Sequence, residues 1–317
     1  MTASIDVVVP VLNHYDLTTR CLALLREQTV PHRVIVVDDG CTDGTPERLR
    51  TDWPEVSVVS LDDNHGFSKA CNRGVREGNG EIVVLLNNDV ECRPDFLKHL
   101  TSPLEEPTVG SVAALLLQPG GERIDGIGLS ADATLAGFPR QRGKPLECAR
   151  DAVPALAGPA GAAAAYRRTA WEEVGGLDEA IFAYAEDFDL ALRLRIAGWG
   201  SVAAPDAVGI HLGSASFGHR SARQRRLGGF ARGYLLRRYG LLRRRAAPRV
   251  LATEAIVILG DLVLSRDLAA LSGRLSGWRA ARHGPRLPYP PAAAIEPGIG
   301  LRDSLALRRG VYARRAV

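Results

Sequence analysis

Val34-Ile35-Val36-Val37-Asp38-Asp39-Gly40-Cys41-Thr42-Asp43-Gly44-Thr45-Pro46-Glu47 is the stretch that decides the fold. Four apolar, β-branched residues in a row predict a strand covered on both faces; a half-exposed strand would alternate apolar with polar residues. Two carboxylates and a glycine then end it. Thr45 before Pro46 reads as a cap residue with proline in the first helical position. A strand, an acidic turn and a helix make up half of a βαβ unit.

The same alternation runs outward from this stretch in both directions. Val7-Val8-Val9 precedes a helical pattern over 17–27, residues 56–61 precede one over 67–77, and residues 82–86 precede one over 95–100. Strands alternating with helices predict a mostly parallel α/β sheet with helices on both faces. Further along, 112–117 and the small-residue run 160–166 read as strands, and 118–155 as loops and short irregular strands. A short helix over 169–174 stops at Gly175-Gly176, and a firmer one over 186–197 stops at Gly198. Two short strands, 202–204 and 208–211, close this region. From Arg220 the chain is Arg-rich, with helical candidates at 227–239 and 250–264 and a Pro-rich extended segment at 285–297. The expected division is therefore residues 1–219 and 220–317.

Composition agrees with a globular protein: 317 residues, 46% apolar and 24% charged. Five cysteines without C-x-x-C spacing argue against a disulfide framework or a zinc site and predict reduced thiols. Residues 1–10 lack a basic leader and carry Asp6, so they read as a strand and not as a signal peptide. The best apolar run, 256–264, is interrupted by Asp261 and falls short of the about 18–20 residues that span a bilayer. A cytoplasmic protein is expected, with the inner face of the plasma membrane as a peripheral location. The net charge of +4 hides an asymmetry. Residues 1–219 hold 19 Lys and Arg against 31 Asp and Glu, a net of −12; residues 220–317 hold 21 against 5, a net of +16.

Ligands of parallel sheets bind at the carboxyl ends of strands. The first strand ends in Pro10-Val11-Leu12-Asn13, without G-x-G-x-x-G or a P-loop lysine. That disfavours a dinucleotide dehydrogenase or a P-loop kinase. Asp38 and Asp39 can accept hydrogen bonds from a base and from ribose hydroxyls, whereas Asp43 reads as a turn cap. Gly66 opens a helix whose N-terminus suits a phosphate or sugar edge. Asn87-Asn88-Asp89 places one carboxylate and two amides at the sheet rim, suited to a hard cation already carrying phosphate oxygens, though the triplet is also turn chemistry. Glu186 and Asp187 begin a helix, where the dipole favours ionised carboxylates. Asp189 and Arg193, four residues apart, read as a structural pair. His211 follows a strand with glycines close on either side, which leaves its ring accessible to a metal or a phosphate.

Taken in order, these segments resemble glycosyltransferase family 2 with the GT-A nucleotide-diphospho-sugar transferase fold, over about residues 4–215. The resemblance rests on V-V-V-P-V-L-N, V-V-D-D-G-C-T-D-G-T, N-x-G-F-S-x-A-x-N-x-G, L-L-N-N-D-V, the stretch from Gly161 to Glu179, E-D-x-D-L-x-x-R and the late His-Leu-Gly. It is nearest to the bacterial rhamnosyltransferase-like branch, which often carries N-N-D where the family has D-x-D. It implies an enzyme that moves a sugar from a nucleotide-diphosphate donor, dTDP-rhamnose-like or UDP-hexose, to an acceptor hydroxyl on a glycan, a lipid-linked saccharide or a small molecule. By resemblance, Pro10, Asn13, Asp38, Asp39, Gly66, Ala70, Asn72 and Asn88 bind the nucleotide sugar. Asp89 and His211 hold Mg²⁺ or Mn²⁺, Asp187 is the catalytic base and Glu186 stands beside it. Asn87 and Asn88 leave less negative charge on the metal than the usual pattern does.

Two other readings compete. A sugar-phosphate nucleotidylyltransferase would want a Gly-rich basic loop after the first strand, and residues 10–15 lack one. A non-catalytic binding protein would keep nucleotide binding without turnover. The basic tail either packs on the acidic body or meets an anionic membrane surface, with Arg237-Arg238 and Arg243-Arg244-Arg245 flanking Tyr239, Leu241 and Leu242. Nucleic acid is not expected as a partner.

Overall fold

In the computed structural model, which describes residues 3–151, 155–213 and 221–308, four parallel strands form the amino-terminal half of the sheet. The chain runs β1 (Ile5–Val11), α1 (Tyr15–Arg26), β2 (Arg33–Asp38), α2 (Thr45–Asp52), β3 (Ser57–Ser60), α3 (Phe67–Glu77) and β4 (Ile82–Leu86). These are the units expected from the alternation of apolar runs with helical patterns. The cap of α2 is Gly44, in a left-handed conformation, and not Thr45. Asp43 does the polar work there: its Oδ1 accepts from Thr45 N (3.0 Å) and its Oδ2 from His14 N (2.9 Å).

Beyond β4 the sheet becomes mixed. The elements are β5 (Val90–Cys92), α4 (Phe96–Thr101), β6 (Val109–Leu117), β7 (Ile124–Gly126), β8 (Leu129–Ala131), β9 (Gly137–Pro139), β10 (Ala163–Arg167), α5 (Arg168–Glu173), α6 (Glu186–Ile196) and β11 (Gly200–His211). Among the described residues the strand order is β3-β2-β1-β4-β10-β6-β11-β5, with β7 on β6. β10 is antiparallel to both of its neighbours. β11 is parallel to β6 and antiparallel to β5. It is one strand where two were expected. The gap in the sequence pattern is a register shift between Ala204 and Val208, around Pro205, which has no N–H to give the ladder.

Alternate residues of β1 build two cores. Val7, Val9 and Val11 pack with Leu22, Leu25, Leu97 and Leu100 on one face, and Val8 packs with Cys71, Val75, Leu190 and Leu194 on the other. Helices therefore cover both faces.

The carboxyl-terminal segment forms α7 (Ala222–Arg238), α8 (Ala247–Ser265), α9 (Ala269–Ala280) and α10 (Leu301–Arg308). The expected boundary at 219/220 lies at residues 214–220, outside the described residues. α9 and α10 were not expected, because glycines at 273 and 277 weaken the helical signal of α9. Those glycines serve packing. Gly229 and Gly233 of α7 face Gly273 and Gly277 of α9 so closely that a Cβ on any of the four would strike a backbone carbonyl of the opposite helix. The segment also rests on the sheet domain. Tyr239 is fully buried and donates to Asp189 Oδ1 (2.9 Å), while Asp189 Oδ2 accepts from Arg193 Nε (2.7 Å). Tyr234 donates to Asp178 Oδ2 (2.7 Å). Of the two alternatives for the basic tail, packing on the sheet domain describes Tyr239 and Leu241, both buried core, whereas Leu242 between the arginines is 36% exposed.

The glycine seam predicts opposite outcomes five residues apart on α7. Gly233→Ala should destabilise by about 1–3 kcal/mol through overpacking. Gly228→Ala, with nothing within 4 Å of its new Cβ, should be neutral or stabilise by up to about 1 kcal/mol. Denaturant unfolding of the two variants checks the contrast.

Candidate active site

Sheet register brings the first group of polar residues together. In the β5–β11 pairing, His211 lies opposite Val90, so the residue that follows β11 meets the residue that precedes β5. Leu212 N donates to Asp89 O (3.0 Å) and locks this corner. His211 Nε2 stands 3.5 Å from Asp89 Oδ1, and its Nδ1 is 3.0 Å from Asp125 Oδ2 on β7. Arg142 Nη2 closes the chain on Asp125 Oδ1 at 3.0 Å. Burial disfavours the charged imidazole, but the Asp125 hydrogen bond and the Asp89 and Asp125 charges outweigh it, so His211 titrates above its ordinary value. Burial also opposes ionisation of Asp125, and there His211 and Arg142 win and hold the carboxyl low.

Asp89 Oδ1 is buried with no hydrogen-bond partner. An orphaned carboxylate oxygen of this kind is costly unless a ligand completes it. Asp125 takes Nδ1 of His211 and leaves Nε2 directed at that oxygen. One carboxylate oxygen and one imidazole nitrogen fit Mn²⁺ or Mg²⁺, with diphosphate oxygens and water filling the remaining positions. No group of three or more His, Cys, Asp or Glu able to hold a metal occurs among the described residues. Asp89 and His211 thus offer two donors, in keeping with the asparagines at 87 and 88.

The second group sits at the ends of β1 and β2. Asp39 accepts from His65 N (2.8 Å) and Gly66 N (2.9 Å), one through each oxygen, and so ties β2 to the start of α3. Burial pushes its carboxyl up, and the two N–H groups pull part of the way back. Gly66 has φ +88°, and a Cβ there would strike Phe182, so only glycine lets the loop before α6 approach this closely. Asp38 Oδ1 accepts from Cys41 N (2.7 Å). Asn13 Oδ1 accepts from Thr42 N (2.8 Å). Asn72 is held by Leu177 and Glu179, and Ala70 is fully buried.

The third group is the start of α6. Tyr184 and Ala185 both have positive φ, at 73° and 63°. These two strained residues turn the chain sharply and set Glu186 and Asp187 at the helix N-terminus. Asp187 Oδ2 accepts from Gly161 N (2.7 Å) and its Oδ1 from Phe188 N (2.6 Å). Glu186 Oε2 is buried without a partner. Burial raises both carboxyls, and for Glu186 the adjacent Asp187 charge adds to it. Backbone N–H groups favour the ionised form of both: those of Gly161 and Phe188 act on Asp187, and only its own on Glu186.

All three groups open onto one cleft of about 810 Å³, large enough for a nucleotide sugar. Pro10, Asp39, Gly66, Asn88, Asp89, Glu186, Asp187 and His211 line it. Asn13, Asp38, Ala70 and Asn72 do not; Asn13, Asp38 and Asn72 brace the lining loops from behind through the bonds described, and Ala70 is buried in the core. Asp125 and Arg142 also line the cleft and escaped the sequence reading. Both lie in a stretch without periodicity, and only strand pairing across 86 positions brings Asp125 to His211.

Comparison with known proteins gives matching results. The glycosyl transferase family 2 model matches residues 6–175, and the glycosyl transferase family group 2 model matches residues 148–279. An N-acetylglucosaminyl-diphospho-decaprenol L-rhamnosyltransferase of Mycobacterium tuberculosis is 31% identical over 225 residues, covering 62% of this chain and 71% of its own. An O-antigen biosynthesis protein of Myxococcus xanthus is 29% identical over 230 residues, covering 68% of this chain and 18% of its own. Among solved structures, the mannosyltransferase of Pyrobaculum calidifontis in complex with GDP-Man and Mn²⁺ superposes with a TM-score of 0.54. It is 23% identical and covers 88% of this chain and 75% of its own. GalNAc-T7 with UDP, GalNAc and Mn²⁺ superposes at 0.60 with 13% identity, covering 80% and 50%. These two likenesses show the GT-A fold.

If Asp125 fixes the tautomer of His211, Asp125→Asn should weaken Mn²⁺ binding in the presence of a nucleoside diphosphate by about 10- to 100-fold. Titration calorimetry measures this, and an unchanged affinity would remove Asp125 from the site.

Proposed function

Because the chain belongs to glycosyl transferase family 2, we propose that it moves a deoxyhexose of the rhamnose type from a thymidine-diphosphate donor to a hydroxyl of a polyprenyl-diphosphate-linked saccharide. The observation that carries this is the shared cleft: an orphaned Asp89 oxygen beside His211 on one wall, and Glu186 with Asp187 on another. The choice of sugar and acceptor follows the mycobacterial relative's name, and the thymidine nucleotide follows the resemblance to the rhamnosyltransferase-like branch. As a glycosyltransferase, the chain is set apart from the nucleotidylyltransferase and non-catalytic readings.

The residues divide the work. The Pro10–Leu12 rim and the Asp39-braced start of α3 receive the nucleotide. Asp89 and His211 would hold a divalent cation, which when bound would supply positive charge toward the leaving nucleoside diphosphate. Asp187 accepts the proton of the attacking hydroxyl. Burial makes it a stronger base than an exposed aspartate, and two backbone N–H groups keep it ionised. Glu186, whose carboxyl is raised by burial and by the Asp187 charge beside it, lines the same wall within reach of a sugar or diphosphate oxygen. The acceptor attacks opposite the leaving group, and this single displacement inverts the anomeric carbon.

A screen of nucleotide sugars for donor hydrolysis and transfer, with and without Mn²⁺, tests the reading. Thymidine-linked deoxyhexose should lead and should need the metal; a uridine-linked hexose leading instead would overturn the donor assignment. Asp187→Asn should cut kcat by about a hundred- to ten-thousand-fold while nucleotide affinity persists. Because the raised Asp187 must be ionised to act, activity is present above its folded pKa and is lost as pH falls through it. The acid limb of kcat should therefore lie above the ~3.9 of an ordinary aspartate. Turnover unchanged in Asp187→Asn would reject it as the base.

A further inference from the structure

α8 is apolar over most of its surface and turns only Val250, Thr253 and Glu254 fully into the protein. Leu251, Leu259 and Leu262 line the outward side, with Ile256 and Val263 beside them, and all five are exposed. A surface helix of a globular domain normally turns its apolar stripe inward. The inward face of α8 is instead fixed by charge: Glu254 accepts from Arg232 Nε (2.7 Å) and Arg274 Nε (3.0 Å), with Arg308 3.8 Å away. Rotating α8 to hide its leucines would break this buried network. Exposure is highest at the helix end, where Val263 is 73% and Leu264, on another side of the helix, 83% exposed; Leu268 beyond the helix is exposed as well. A contiguous apolar surface of this kind marks a contact site.

Arginines stand at both ends of the ridge. Arg243 and Arg245 precede α8 and Arg266 follows it; all three are exposed, and none has an ion-pair partner among the described residues. α8 is 19 residues long, about 28 Å, and no helix among the described residues is long and apolar enough to cross a membrane.

We propose that the outward face of α8 lies on an anionic lipid surface, with the leucine ridge in the headgroup boundary and Arg243, Arg245 and Arg266 at the level of the phosphates. Charge complementarity selects lipid over a second copy of this chain. Two α8 ridges laid together, in either direction, would set arginine against arginine at both ends, which is unfavourable. The purpose of such docking rests on the lipid-linked acceptor proposed above; the surface itself does not.

The test is flotation of the full chain with vesicles of phosphatidylcholine, with and without phosphatidylglycerol. The protein should float with the phosphatidylglycerol vesicles and be released by salt. The double variant Leu259→Glu/Val263→Glu should lose binding by at least about tenfold, with its thermal midpoint and donor hydrolysis unchanged. Replacing Arg243, Arg245 and Arg266 by alanine should erase the preference for the anionic lipid. Wild type that floats with neither vesicle, or a glutamate variant that floats as wild type does, overturns the proposal. A wild-type dimer in light scattering that the glutamate variant converts to monomer, without flotation of either, assigns the ridge to a second copy and also overturns it. A chain that floats yet fails to glycosylate a polyprenyl-linked acceptor in detergent rejects the acceptor reading and leaves the docking surface standing.

Discussion

His211 reaches Asp89 because β11 runs parallel to β6 on one side and antiparallel to β5 on the other. A strand of 12 residues with a register shift around Pro205 must pair correctly with both neighbours to deliver one imidazole. A slip of one residue would turn His211 to the opposite face of the sheet and leave Asp89 Oδ1 buried without the ring beside it. The same pairing carries Asp125 into place, since β7 hangs on β6, the common neighbour. The meeting of Asp89, His211 and Asp125 is thus a property of sheet register.

This explains what could be read from the sequence and what could not. The β1–α3 region was legible because each apolar run and each cap acts locally. β4 and α3 even have the expected limits, since Gly66, Gly78 and Gly80 punctuate them. The tiny β5 was invisible because three residues carry no periodicity, and Asp125 because its meaning depends on a partner far along the chain. Asn87-Asn88-Asp89 and Glu186-Asp187 were found because ordered motifs bear them, and the fold then set both on one cleft. Ala70 and Asn72, taken from the same ordered motifs, stand behind the wall that they were expected to form. A motif records which residues recur together and does not separate lining from bracing.

The carboxylates divide by whether the protein satisfies them. Asp39 spends both oxygens on backbone N–H groups and Asp189 spends its own on Arg193 and Tyr239, so both are structural in their bonding. Asp89 and Glu186 each keep a buried oxygen with no partner. Desolvating such an atom costs on the order of 1–3 kcal/mol. The fold holds two of them across a single cleft, where a cation and a sugar or diphosphate group are the chemistry that would complete them.

The basic segment looks at first like a separate device, given its net +16 against −12 for the rest. Much of that charge is consumed in place. Arg232, Arg274 and Arg308 surround Glu254, whose carboxyl they hold down at about 2, and Arg238 and Tyr234 share Asp178 of the sheet domain. Tyr239 ends on Asp189, two residues from the proposed base, so the helices buttress α6, and Gln224 of α7 reaches the cleft itself. Of the exposed arginines without an ion-pair partner among the described residues, Arg243, Arg245 and Arg266 lie at the two ends of α8, and Arg226, Arg279, Arg286 and Arg302 lie elsewhere on the segment. The arrangement has one consistent physical reading: arginines that can be neutralised within the fold fix which way α8 faces, and the face left over is apolar in the middle and cationic at its ends.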